Sequence, residues 1–97
     1  MKVNFSQSLK NLNGDSLKDD KDVAIPLGTV CTNALMMTIQ GDKADGVEKV
    51  KRYDLATRIH SGGEVEVSVE DVALIKKMIG EGYGALVVGQ AYKMLEK

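Results

Sequence analysis

Ninety-seven residues fit one domain with one core, and a 43% apolar, 28% charged composition argues against disorder, collagen and coiled coil alike. Thirteen basic and fourteen acidic side chains are interleaved to a formal charge of −1, so no basic excess marks the chain as a nucleic-acid binder. A single cysteine, Cys31, excludes an intramolecular disulfide or a several-thiolate zinc site and fits a reducing compartment. No run approaches the roughly 20 apolar residues of a membrane span, and the start lacks the apolar stretch of a signal peptide, so a cytoplasmic, membrane-free protein is expected.

In chain order, Asn13-Gly14 is a strong hairpin signal, because both residues tolerate positive φ. It makes Val3 to Lys10 and Ser16 to Lys18 the predicted arms of an N-terminal hairpin. The run Lys18 to Asp22 is too polar to bury and reads as a solvated loop, with an acidic metal-binding loop as the alternative. Residues 1–22 are thus a hairpin and charged loop, and 23–97 a helical body of the same domain.

Val23-Ala24-Ile25 reads as a short strand and Pro26-Leu27 as a helix start, since proline there gives up an N–H that would be unpaired anyway. Leu27, Val30, Ala34 and Met37 recur at the helical period. After the loop Gly41 to Gly46, a second helix spans Val47 to Ile59, with Glu48 and Arg52 paired at i and i+4. Val47, Val50 and Tyr53 lie on one side of it and Leu55 and Ile59 on another, which predicts a helix touched from two directions. His60-Ser61-Gly62-Gly63 stops it. Glu64 to Ser68 alternates as a half-buried strand, and Ser68 with Asp71 forms a capping box for a helix with a Val69, Val72, Ile75, Ile79 stripe. Gly80 to Gly84 ends that helix. A last one, Ala85 to Leu95, carries Val88, Ala91, Tyr92 and Leu95 on one face.

Val23 to Val30 laid over Val65 to Val72 sets Val23, Ile25, Leu27 and Val30 on apolar partners, a possible pseudo-repeat of strand-helix units whose strands could pair with each other. The oxygen ligands of a calcium-binding helix-loop-helix are missing from His60 to Glu64. The fold class is α+β: a short hairpin or small antiparallel sheet packed with about four helices.

Sites of chemistry are sparse. His60 next to Ser61 could be imagined as base and nucleophile, but no orienting carboxylate is specified, and a histidine ending a helix is favourable through the macrodipole. Gly80-Glu81-Gly82-Tyr83-Gly84 follows a helix rather than a strand, which argues for a tight turn over a phosphate cradle. A helix-turn-helix reading fails because Ala85 to Ala91 is too apolar for a DNA groove. Cys31 lies in an apolar helix with no adjacent base. No catalytic set, cofactor or metal site is assigned.

Two clusters carry more apolar surface than one small core obviously needs. Leu35, Met36, Met37 and Ile39 make the first helix apolar on nearly all sides. Leu86 and Val87 surround Gly89, a helix-interior glycine costing about 1 kcal/mol relative to alanine. Together they form the candidate protein-interaction surface.

Lys2 to Phe5, Asn13-Gly14, Leu27 to Met37, Glu48 to Ala56 and Val87 to Tyr92 form a layout that resembles small uncharacterised proteins of tailed bacteriophages and prophages. That resemblance implies a non-enzymatic accessory protein in the host cytoplasm, an assembly chaperone or modulator acting by binding another protein or itself. The alternative is a nucleic-acid-associated regulator using Lys49, Lys51, Arg52 and Arg58.

Overall fold

A computed structural model describes residues 1–37 and 41–96. Its elements are β1 (Lys2–Asn4), α1 (Leu27–Met36), α2 (Gly46–Ile59), β2 (Glu64–Glu66), α3 (Val69–Gly82) and α4 (Ala85–Leu95). The α+β class holds: a two-stranded antiparallel sheet and four helices.

The strands pair differently from the sequence reading. β2 lies antiparallel to β1, with Val3 opposite Val65, and not beside Val23 to Ile25. Nor is Val3 to Lys10 one hairpin arm, because β1 ends at Asn4, whose side-chain oxygen accepts from the Ser6 N–H at 2.9 Å and turns the chain.

Beyond that turn the backbone forms a three-leaved ring. The Leu17 N–H donates to Leu9 O, the Ile25 N–H to Leu17 O, and the Leu9 N–H back to Ile25 O, each at 2.9 Å. Single bridges join Lys10 to Ser16, Lys18 to Ala24 and Ser8 to Pro26. Leu9, Leu17 and Ile25 stand eight residues apart and turn toward the core, Leu9 fully buried and the other two packed against it. Two leaves close with the same chemistry. In the first, Asn11 Oδ1 accepts from the Asp15 N–H and the Gly14 N–H donates to Asn11 O. In the second, Asp19 Oδ1 accepts from the Val23 N–H and the Asp22 N–H donates to Asp19 O. Gly14 and Asp22 occupy equivalent left-handed positions, with φ of 93° and 64°. Glycine takes that conformation freely and aspartate is among the few residues that tolerate it. The predicted hairpin of Lys10 with Ser16 is therefore one leaf of three, and the charged run is the tip of the next.

α1 is the centre of the helical body. It packs against α2 on one side and α3 on the other, and α3 packs in turn against α4. That placement explains why α1 is apolar nearly all round: Leu27, Val30, Cys31, Ala34 and Leu35 are all buried. Gly28 lets the ring and α2 close on α1, since a Cβ there would lie 3.1 Å from both Phe5 O and Ile59 O.

Pro26 is the N-cap of α1 rather than its first helical residue, and Met37 leaves the helix as its C-cap in extended conformation. Pro26 and Ser68 cap their helices at the spacing of the proposed pseudo-repeat, but Leu27 is buried and its counterpart Val69 is 75% exposed. The matched sequences therefore do not occupy matched environments. In α3 the capping box is complete, with Ser68 Oγ accepting from the Asp71 N–H and Asp71 Oδ2 from the Ser68 N–H. The buried stripe is Val72, Ile75, Met78 and Ile79, without Val69. α3 also runs past Gly80 to Gly82. A Cβ at Gly80 would come within 2.7 Å of the Tyr92 hydroxyl, which donates to Lys76 O across the α3–α4 contact. That glycine is a slot for a tyrosine, not a helix end.

Candidate protein-interaction surface

α2 has two unlike sides. The inner one buries Arg52, Leu55, Ala56 and Ile59. Asp45 caps the helix, accepting from the Glu48 N–H at 2.9 Å. Arg52 is only 4% exposed, and a buried guanidinium needs counter-charge. Its Nη1 donates to Asp42 Oδ2 at 2.6 Å, and Nη2 lies 3.4 Å from both Asp42 Oδ1 and Glu48 Oε2. The Arg52 hydrogen bond, helped by the Ala44 N–H, holds the Asp42 carboxyl down at about 2. The pair pins the loop before α2 to the helix face.

The outer side displays apolar side chains to solvent. Val47 is 66% exposed, Val50 59% and Tyr53 55%. These three recur one turn apart, so they form a continuous stripe. The expectation that α2 is touched from two directions is corrected here: α1 covers one side, and no described element covers the other. Met36 extends the stripe across to α1, where it and Tyr53 line a hollow of about 380 Å³ with Met37, Lys49 and Arg52.

The seven residues singled out from the sequence do not form one patch. Leu35 is core, buried between α1 and its neighbours, while Met36 is 53% exposed. Met37 is half-buried against the end of α3, where a Cβ on Gly82 would overlap its thioether. Ile39 lies outside the described residues. Leu86 and Gly89 line a separate groove of about 340 Å³ against the first leaf of the ring. Val87 faces a third, of about 610 Å³, with Leu17, Val23, Ile25 and Tyr83. None of the described residues approaches the Cβ position of Gly89, so close backbone packing among them is not its reason. Gln90, beside it, ties α4 to the ring by accepting from the Lys10 N–H and donating to Lys10 O, both at 2.7 Å.

Comparison with protein families, curated proteins and solved structures finds no significant match. The surface must therefore be read from its own chemistry.

The basic set suggested for nucleic acid is divided. Arg52 is buried and neutralised, and Arg58 donates to Glu66 O at 2.8 Å with Asp71 3.4 Å away. Lys49 and Lys51 remain as exposed cations on α2. Cys31 is fully buried, and desolvation pushes its thiol up to about 12, which leaves no thiolate at neutral pH. His60 is the C-cap of α2, its N–H bonded to Ala56 O, and Gly62 and Gly63 follow in left-handed conformation as the turn required. Asp19, in the acidic run, already uses Oδ1 on the Lys21 and Val23 N–H groups, and no group of three potential metal ligands converges among the described residues.

The outer stripe of α2 was missed because the sequence shows only that a helix has apolar residues on two sides. Whether both sides have neighbours is a tertiary fact. The available signal was the mismatch between Val47, Val50, Tyr53 and the Leu55, Ile59 side.

Proposed function

We propose that this chain is a non-enzymatic accessory protein of tailed-phage type that works by binding protein through the outer face of α2. One observation carries the reading: three large apolar side chains, each more than half exposed, stand in register on a helix whose inner face is anchored in the core. Scattered exposed apolar residues need no explanation, but a stripe one turn apart on a rigid helix is a common recognition device. Lys49 and Lys51 flank it and leave the rim polar, as protein interfaces have it. The resemblance to small phage proteins supports an assembly or modulatory role in the host cell.

The test is quantitative affinity capture from cells carrying the parent phage or prophage, with wild type and Val50→Glu side by side. A discrete protein, which can be the chain itself, should be recovered in near-stoichiometric amount with wild type and lost with Val50→Glu. Leu12→Ser, which alters a still more exposed apolar side chain on the ring, should leave recovery unchanged. Equal recovery with all three baits would sink the reading.

A further inference from the structure

Charge on the flank of the α2 stripe points to what covers it. Lys51 and Asp54 stand three residues apart on the exposed side of the helix, and neither has an ion-pair partner among the described residues. Both are free to serve an intermolecular contact.

We infer that the stripe is covered by a second copy of this chain, the two α2 helices packing antiparallel about a two-fold axis that passes between Lys51 and Tyr53. This rests on the proposed binding face and names its partner. A two-fold interface must be self-complementary, because each residue meets the same patch on the other subunit. Antiparallel pairing at this register satisfies that demand. Val47 of each copy comes opposite Thr57 of the other, and Val50 falls within one residue of Tyr53. Lys51 of each copy falls within one residue, about 1.5 Å along the helix, of the level facing Asp54 of the other, a step its long side chain spans, giving two symmetry-related ion pairs beside the apolar strip. A parallel pairing would set Lys51 beside Lys51 and Asp54 beside Asp54, which like-charge repulsion disfavours.

The surroundings fit the same geometry. Tyr53 lies next to the axis and borders the hollow lined by Met36, so the ring of the second copy has a thioether-walled recess to enter. Gly46 and Thr57, near the two ends of α2, are small and exposed and let the helices approach.

Sedimentation equilibrium on the purified full chain tests this directly. Wild type is expected to show a reversible monomer–dimer equilibrium with a Kd of roughly micromolar order. Reversing one charge, by Lys51→Asp or Asp54→Lys, should raise that Kd about tenfold, since two pairs become two repulsions. Combining Lys51→Asp with Asp54→Lys should bring it back near the wild-type value. Circular dichroism checks that these exposed substitutions leave the fold intact. A strict monomer, a dimer indifferent to the single reversals, or a double variant as weak as the singles would each overturn the inference. A monomer that still retains a foreign protein in a Val50-dependent way overturns self-pairing alone. A monomer that retains nothing overturns the binding face as well.

Discussion

α2 and α3 are both fourteen residues long and both side-chain capped, yet they use their apolar residues in opposite ways. α3 lies between α1 and α4 and buries Val72, Ile75, Met78 and Ile79. α2 packs chiefly on α1, with Arg58 reaching Glu66 and Asp71, gives one of its buried positions to a charged arginine, and leaves Val47, Val50 and Tyr53 in solvent. The difference separates residues kept for folding from residues with no folding role. An apolar side chain that contributes little to the monomer's stability is available for a partner, and substitutions can measure which kind each one is.

The largest effect is expected at the centre of α3. Ile75 is fully buried, and Ile75→Ala removes its contacts and leaves a cavity, at a cost of about 3–4 kcal/mol. In a chain of this size that lowers the thermal midpoint by more than about 10 °C. Urea denaturation would show it directly, and a cost under about 1 kcal/mol would mean that α3 is not the packed member of the pair.

Next comes the anchor of α2. Asp42→Asn removes the carboxylate that neutralises buried Arg52 and leaves Glu48 as its remaining acidic partner. The variant should unfold at a lower urea concentration at pH 7. Its acid behaviour sharpens the point. Because the Asp42 carboxyl titrates at about 2 when folded and near its ordinary value of roughly 3.9 when unfolded, its contribution is present above pH 4 and lost as pH falls toward 2. Wild type should lose stability relative to Asp42→Asn across that window. Parallel acid limbs for the two proteins would show that the ion pair does not hold α2.

A smaller effect belongs to the α3 cap. Ser68→Ala breaks half of the capping box and should cost about 1 kcal/mol, measurable as a urea midpoint shift with unchanged slope.

α3 was also the most legible element, because its cap and its apolar period both lie within one short segment. The paired left-handed glycines after α2 were legible for the same reason. Pairing of β1 with β2 was not, since the partners are separated by some sixty residues and nothing local distinguishes Val3 from Val23 as the mate of Val65. The ring has no local sequence signature, because Leu9, Leu17 and Ile25 recur every eight residues, a period that belongs to neither helix nor strand. Asn13-Gly14 marks one turn by composition, while the equivalent Asp19 to Val23 turn, with an aspartate at the left-handed position, carries only the signature of a charged run. For the interaction surface, composition identified surplus apolar character in α1, but α2 and α3 absorb most of it. The exposed residue left there is Met36, and the free stripe is on the neighbouring helix.

The smallest expected effect is the most informative about that stripe. In dilute solution Val50→Ala should change stability by no more than about 0.5 kcal/mol, and in the stabilising direction, because a half-exposed valine contributes little packing and alanine is the better helix former. At high protein concentration the sign should reverse. If folded monomers pair through α2, mass action raises the wild-type thermal midpoint with concentration, and trimming Val50 weakens that dependence. A loss above about 1 kcal/mol in dilute solution would mean that Val50 is packed in the monomer, erasing the contrast with α3. Curves for wild type and variant that cross as concentration rises would assign Val50 to the second copy and not to the core.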